Sequence, residues 1–412
     1  MMSAPQKFAE EETLPVEIDW LSRTLSEAVG ARGELIETHC SPLAAGKGFA
    51  SFISRVTLVW DPQKSETDKL PKSVVIKRAT IAKLDQLGAD MKSKVDLSLI
   101  KTVHNREVFA YRFLFAHPPP PIPMVRCFAG LEMTSAPSAT GDLPPPPLES
   151  KSTANDGVLV LEDLTHSSVS HSFGDYFSVT KLEVLVQAIA RLQVYGLKYP
   201  AEWEGRINQF DRSLHDKTLD ENPEVVAFLR TTYPDEFTLT DAQIEALKTQ
   251  AEKFITTMLE PKSHGYATPV VCFGDLQPNN ILWKRSPDNP ETPSDQLDAL
   301  IDLQVLHSGL PFEDLTYVLF FYLRPEDRRL HEDRLLQLYY STLCEVCAAE
   351  GLPVPPPFSL DSIRSGYRFC LHYFAVFFMA VMRISLTVLL RTEQNKRNLI
   401  AHLRAVLEDL GV

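Results

Sequence analysis

The sequence predicts an α+β fold with a β-rich first part and a mainly helical second part, meeting near Glu162. Three observations carry this. Residues 49–60 (FASFISRVTLVW) and 73–77 (SVVIK) are extended runs rich in β-branched and aromatic side chains. The polar segment between them holds Pro62 and Pro71 and reads as a hairpin loop. After Leu164 the apolar spacing changes to a period of about 3.6 residues, the mark of helix.

The elements follow in order. Residues 18–29 (IDWLSRTLSEAV) have helical spacing, and helical character returns over 84–115 until the proline block 118–121 ends it. Residues 123–131 (PMVRCFAGL) read as a strand, and 157–161 (GVLVL) as a buried strand because the run is continuously apolar. Between them, residues 134–156 are rich in Ser, Pro, Ala and Thr, with a second proline block at 144–147; a mobile surface insertion is expected. Thr180 and Glu183 have the spacing of a capping box, ahead of an apolar face of Leu182, Leu185, Val186, Ile189 and Leu192. Another helix is expected over 241–258. Short strands follow at 269–273 and 281–283, then a polar hairpin at 285–296 and a third strand at 300–303. From Glu313 onward the chain reads as helix, interrupted at 353–357. The expected division is 1–162 and 163–412.

Composition narrows the function classes. A chain of 412 residues, 44% hydrophobic and 23% charged, has the balance of a globular protein and not of collagen, a coiled coil or a disordered chain. Set against roughly 100–200 residues per domain, that length suggests two or three structural units. A net charge of −13 disfavours nucleic acid as a partner, since its phosphates attract Lys and Arg. The six cysteines are sparse, and the acidic start MMSAPQKFAEEETLPVEIDW has no apolar run; reduced thiols and a cytoplasmic location are expected. Cys344 and Cys347 form a C-x-x-C in a helical stretch and read as core-facing thiols, with a redox or zinc role as the alternative. Residues 370–390 are long enough to span a bilayer but carry His372 and Arg383, and an arginine at that depth costs about 2.5–3.5 kcal/mol. A buried helix is expected there, and no membrane span. The chain has no H-E-x-x-H, no G-x-S-x-G and no G-x-x-x-x-G-K, which disfavours a zinc hydrolase, a serine hydrolase and a Walker-type NTPase.

The run FGDLQPNNILW at 273–283 places Asn280 five residues after Asp275. D-x-x-x-x-N is the spacing used in phosphoryl transfer: the carboxylate takes or orients a substrate hydroxyl, and the amide oxygen ligates magnesium. Magnesium prefers hard oxygen ligands, so a second carboxylate is expected on the next strand, and Asp302 in ALIDLQ stands there.

GKGFASFISRV, VVIK, HNREVFAYRF, VLVLEDL, GDLQPNNILW, LIDLQ and GLPFEDLTYVLFFYLRPEDRRLHEDRLLQLYY cover most of residues 40–345. In this order they resemble the ecdysteroid-kinase-like, or CHK-kinase-like, family, within the choline kinase and aminoglycoside phosphotransferase superfamily. The resemblance implies a two-lobed protein-kinase-like fold, with a β-rich N-terminal nucleotide-binding lobe and a mainly helical C-terminal lobe. It implies ATP and Mg2+ as cofactors. By the same resemblance, Lys77 contacts the ATP phosphates, Glu107 orients Lys77, Gly46 and Gly48 belong to a phosphate-covering loop, and Glu162 to Leu164 form the hinge that meets adenine. Asp163 has the alternative of capping the next helix. Asp275 is the implied catalytic residue, Asn280 and Asp302 the implied metal ligands, and Asp314 a structural brace. The chain departs from the family at Phe273, where a buttressing His is usual, at Ser51, where a third glycine would stand, and at Gln193, which reads as packing. The implied activity is transfer of the γ-phosphoryl group of ATP to a hydroxyl of a small molecule, a steroid-like or choline-like alcohol. The alternative is a pseudokinase serving as a binding or scaffold module.

Overall fold

A computed structural model of the chain describes residues 16–43, 51–79, 97–134, 157–208, 212, 215, 216, 219, 222–384, 386 and 393–411. The glycine loop with Gly46 and Gly48, the first part of the helix expected from residue 84, and all but the first residue of the 134–156 insertion lie outside the described residues. The chain divides into two compact units, Met1–Phe115 with Val125–His166, and Ala116–Met124 with Ser167–Val412.

The first unit opens with α1 (Ile18–Val29), whose Leu21 and Leu25, one turn apart, are fully buried. Burial of each such side chain contributes about 1.5–3 kcal/mol. The helix packs beside an antiparallel sheet of β1 (Leu35–Pro42), β2 (Ser51–Trp60), β3 (Ser73–Ala79), β4 (Cys127–Leu131) and β5 (Val158–Glu162), in the order β1-β2-β3-β5-β4. Strands β2 and β3 alternate buried and half-buried positions over most of their length, so one face builds a core of Val56, Trp60, Val74 and Ile76 with Val158 and Val160. Helix α2 (Leu97–Leu114) lies between β3 and β4 in the chain. The edge strand β1 escapes the sequence reading because only Leu35 in it is buried; its remaining side chains alternate nothing apolar.

The second unit contains β6 (Ser168–Val169), α3 (Val179–Lys198), α4 (Pro200–Trp203), α5 (Asn222–Thr232), α6 (Asp241–Leu259), β7 (Val270–Cys272), β8 (Ile281–Arg285), β9 (Pro293–Leu300), β10 (His307–Gly309), α7 (Glu313–Tyr322), α8 (Pro325–Ala349), α9 (Leu360–Ile384) and α10 (Glu393–Asp409). Two small sheets, β10-β7 and β6-β8-β9, stand among the helices. The expected apolar face of α3 is buried in full.

Three expectations need correction. The N-cap of α3 is Ser178, whose Oγ accepts the Lys181 N–H at 3.2 Å, so Thr180 lies inside the helix; the capping box belongs to α6, between Thr240 and Gln243. The expected hairpin turns at 286–292, so residues 293–296 already belong to its second strand, which ends at Leu300, and residues 301–303 follow that strand. Backbone pairing with β8 holds this segment in place, so its side chains carry no apolar signal. Gln193 does more than pack: its Nε2 donates to the Pro311 carbonyl at 3.2 Å and its Oε1 accepts the Tyr339 hydroxyl. Among the described residues no helix is long and apolar enough to cross a membrane. On α8, Cys347 is buried and Cys344 half-buried; both are free thiols.

Candidate active site

In the first unit, Lys77 is buried on the face of β3 opposite Val74 and Ile76, the side it shares with the buried Ala79. Its Nζ meets Glu107 Oε2 of α2 at 2.6 Å, with the two side chains only 7% and 1% exposed. Desolvation makes such a pair costly to form and more costly to break, so its two members hold each other in place. One turn before Glu107, His104 Nε2 contacts the Leu131 carbonyl at 2.8 Å. Burial holds the His104 pKa down, against that carbonyl, and the Lys77 charge adds to the lowering.

Glu162 ends β5. Its N–H donates to the Arg126 carbonyl at 2.9 Å and its Oε2 accepts the Arg126 N–H at 3.1 Å. The adenine contact expected of this segment therefore cannot come from the Glu162 N–H. Asp163 does not cap a helix. It accepts Arg55 Nε at 2.6 Å, Ser73 Oγ at 2.5 Å, and the N–H and hydroxyl of Thr165 at 2.9 and 2.6 Å. Burial alone would raise its pKa; the Ser73, Thr165 and Arg55 hydrogen bonds prevail and bring it down to about 2.

In the second unit, β7 delivers the chain into the 273–280 loop. Phe273 is 1% exposed, and its N–H donates to Asp314 Oδ2 at 2.6 Å, while the Gly274 N–H donates to Asp314 Oδ1 at 2.9 Å. Gly274 has φ +84°, and a Cβ there would stand 2.7 Å from the Val305 carbonyl oxygen, so only glycine fits this turn without displacement. Asp314, in the first turn of α7, is fully enclosed. Burial pushes its carboxyl up to about 6 despite the two N–H donors.

Asp275 and Asn280 meet within the loop. Asn280 Nδ2 donates to the Asp275 carbonyl at 3.0 Å and to its Oδ2 at 3.2 Å, which leaves Oδ1 as the amide's acceptor end; Asn279 Nδ2 reaches it at 3.0 Å. Asp302 comes to the same end of the β8–β9 ladder. Ile281 pairs with Leu300, and the Ile301 N–H donates to the Asn280 carbonyl at 3.0 Å. Among the described residues Asp302 is the single non-glycine with positive φ, at +64°. A non-glycine residue held there stores strain of about 1–3 kcal/mol, a feature concentrated at functional sites. The sequence gives no sign of this backbone state. It also gives no sign of the aromatic hollow behind the loop, lined by Phe173, Tyr176, Pro278, Tyr317, Phe321 and His402 among others.

Comparisons agree with the sequence resemblance. The family model DUF1679, whose description is "Uncharacterized oxidoreductase dhs-27", matches residues 23–411. The chain is 23% identical over 349 residues to "Uncharacterized oxidoreductase dhs-27" of Caenorhabditis elegans, covering 83% of this chain and 40% of that protein. Most of that relative thus lies outside the match. It is 22% identical over 337 residues to "Uncharacterized kinase-like protein D1044.1" of the same organism, covering 79% of this chain and 78% of the relative. Among solved structures, a Ralstonia eutropha protein assigned as an aminoglycoside phosphotransferase superposes with a TM-score of 0.50 at 11% identity, over 95% of this chain and 98% of that one. That likeness shows the fold: protein-kinase-like, with an antiparallel β-rich N-terminal lobe and a helical C-terminal lobe. With its family model matched from residue 23 to residue 411, the chain belongs to the DUF1679 family, which is ecdysteroid-kinase-like.

Proposed function

We propose that the chain is an ATP- and magnesium-dependent phosphotransferase that moves the γ-phosphoryl group to a hydroxyl of a small molecule. The observation that carries the reading is the loop in which Asn280 Nδ2 fixes the Asp275 carboxylate at 3.2 Å and keeps its own Oδ1 as an oxygen donor. Asp275 then orients the acceptor hydroxyl and takes its proton. The acceptor oxygen bonds to the γ-phosphorus, the bond from that phosphorus to the β,γ-bridging oxygen breaks, and ADP leaves. Asn280 Oδ1 and the Asp302 carboxylate are hard oxygen donors and fit Mg2+, which when bound would neutralise charge on the phosphates. Lys77, held by Glu107, is assigned to the ATP phosphates, with Gly46 and Gly48 covering them; Glu162 and Leu164 are assigned to the adenine end, Glu162 by its carbonyl.

The acceptor is assigned to the helical second unit beside Asp275, where Tyr317 and Tyr322 lie close enough for the Asp275 charge to add to the effect of burial in raising their pKa values. The family resemblance makes a steroid-like or choline-like alcohol the proposed acceptor. Transfer of labelled phosphate from ATP to a metabolite extract, with and without Mg2+, tests the reading, and an Asp275→Asn control assigns the activity. One observation favours a second reading, a pseudokinase acting as a binding or scaffold module: Phe273 fills the place of the family histidine and offers no side-chain hydrogen bond. In that case wild type transfers phosphate to no acceptor.

A further inference from the structure

Behind the 273–280 loop, three side chains of different chemistry converge in a buried spot. Cys272 ends β7, His307 opens β10 opposite it in the ladder, and Glu313 opens α7. All three are buried, and one ligand atom from each lies within 4.8 Å of the others. His307 Nε2 faces Glu313 Oε2 at 3.2 Å, and His307 Nδ1 is held by the Val305 carbonyl at 2.9 Å. A backbone carbonyl on Nδ1 fixes the ring with Nε2 toward the cluster, the arrangement that metal-ligating histidines use. Glu313 Oε1 accepts the Leu310 N–H at 2.5 Å, and the Cys272 thiol reaches the Leu310 carbonyl at 3.3 Å.

Gly309 supplies an independent observation. A Cβ at this position would stand 2.7 Å from Cys272 Sγ, 2.8 Å from Glu313 Oε1 and 3.1 Å from His307 Nε2. The three donors therefore close tightly on the Gly309 backbone, and any larger residue here would push them apart. His215 Nε2 is buried with no hydrogen-bond partner among the described residues, and its ring lies within electrostatic reach of Glu313 and His307.

We propose that Cys272, His307 and Glu313 bind a zinc ion. Thiolate, imidazole and carboxylate are the donors zinc takes. This donor set differs from the all-oxygen pair of Asn280 and Asp302, so the two sites select different metals. Cys272 precedes Phe273, and Glu313 precedes Asp314, which receives the Phe273 and Gly274 N–H groups. Zinc would thus clasp β7, β10 and α7 at the two points from which the loop is braced.

The test uses the full-length, untagged chain, purified without chelator and dialysed against zinc alone, with metal content measured by mass spectrometry. One zinc per chain is expected, with a melting temperature that falls on adding a strong chelator. Cobalt in place of zinc is expected to show a thiolate-to-cobalt charge-transfer band. Gly309→Ala and Cys272→Ala are each expected to weaken zinc by more than the roughly 100-fold that losing an outer partner costs. Zinc-free protein after dialysis, or bound cobalt without the thiolate band, overturns the proposal. The cobalt spectrum of the wild type decides the matter even where a variant fails to fold.

Discussion

The Asp314 carboxylate, 41 residues beyond Phe273 in the chain, accepts the Phe273 backbone N–H at 2.6 Å and with its other oxygen the N–H of Gly274 at 2.9 Å. One buried side chain thereby sets the path of the loop at its entry. Replacing it with alanine strands both donors, at roughly 1–3 kcal/mol for each. Asp314→Ala is expected to shift the urea midpoint accordingly, and Asp314→Asn, which keeps one acceptor, by less. Equal stability of all three proteins would show that the two N–H groups find other partners.

The Lys77–Glu107 pair makes a prediction in the first unit. Removing one partner leaves the other charge buried, which costs about 3–5 kcal/mol. Glu107→Leu and Lys77→Met should each destabilise by that order, and the double variant by much less than their sum. Additive losses in a denaturation double-mutant cycle would contradict the coupling that the 2.6 Å contact implies.

Asp163 predicts an acid limb of stability. Its pKa falls from the ordinary 3.8 to about 2 in the folded chain, where its side chain is 1% exposed. A lowered carboxyl stabilises above its unfolded value, and the contribution disappears as pH falls through the folded value. About 2 kcal/mol should therefore be present at pH 5 and lost between about pH 4 and pH 2. Asp163→Asn should be less stable than wild type at pH 6, with the gap closing toward pH 2. A gap independent of pH would contradict this.

Phe273 and Asp275 should separate kinetically. Restoring histidine adds one hydrogen bond, worth about 0.5–1.5 kcal/mol net, so Phe273→His should change turnover roughly three- to tenfold in either direction. Loss of the proposed base in Asp275→Asn should cost on the order of 10²–10⁴-fold. An inactive wild type that gains robust turnover with Phe273→His would mean that Phe273 silences the site.

What was legible in the sequence shares a physical cause. Lys77 could be read because it ends an apolar strand that resembles the family's, and Asp275 with Asn280 because a five-residue spacing closes on itself within one loop. The helix Ile18–Val29 was legible from its apolar period alone. Other features have no local signature. Strand β1 pairs through its backbone at a sheet edge, and β9 is held by its ladder while its side chains stay polar. At the start of α3 the Thr180–Glu183 spacing imitates a cap, whereas the actual cap, Ser178, carries no box pattern to mark it. The left-handed backbone of Asp302 is imposed by its surroundings, and the Cys272–His307–Glu313 cluster joins residues that only the fold brings together.

Magnesium-dependent transfer in the Asp302→Asn variant tests the central claim most directly. Asp302 follows β9 at φ +64°, where asparagine is tolerated as well as aspartate, so the fold should survive the change. With labelled ATP, Mg2+ and one verified alcohol acceptor, wild type should form a phosphorylated product and Asp302→Asn essentially none, the two proteins having the same circular dichroism. Unchanged turnover in the variant, or no product from wild type with any acceptor in a metabolite extract, would contradict the account.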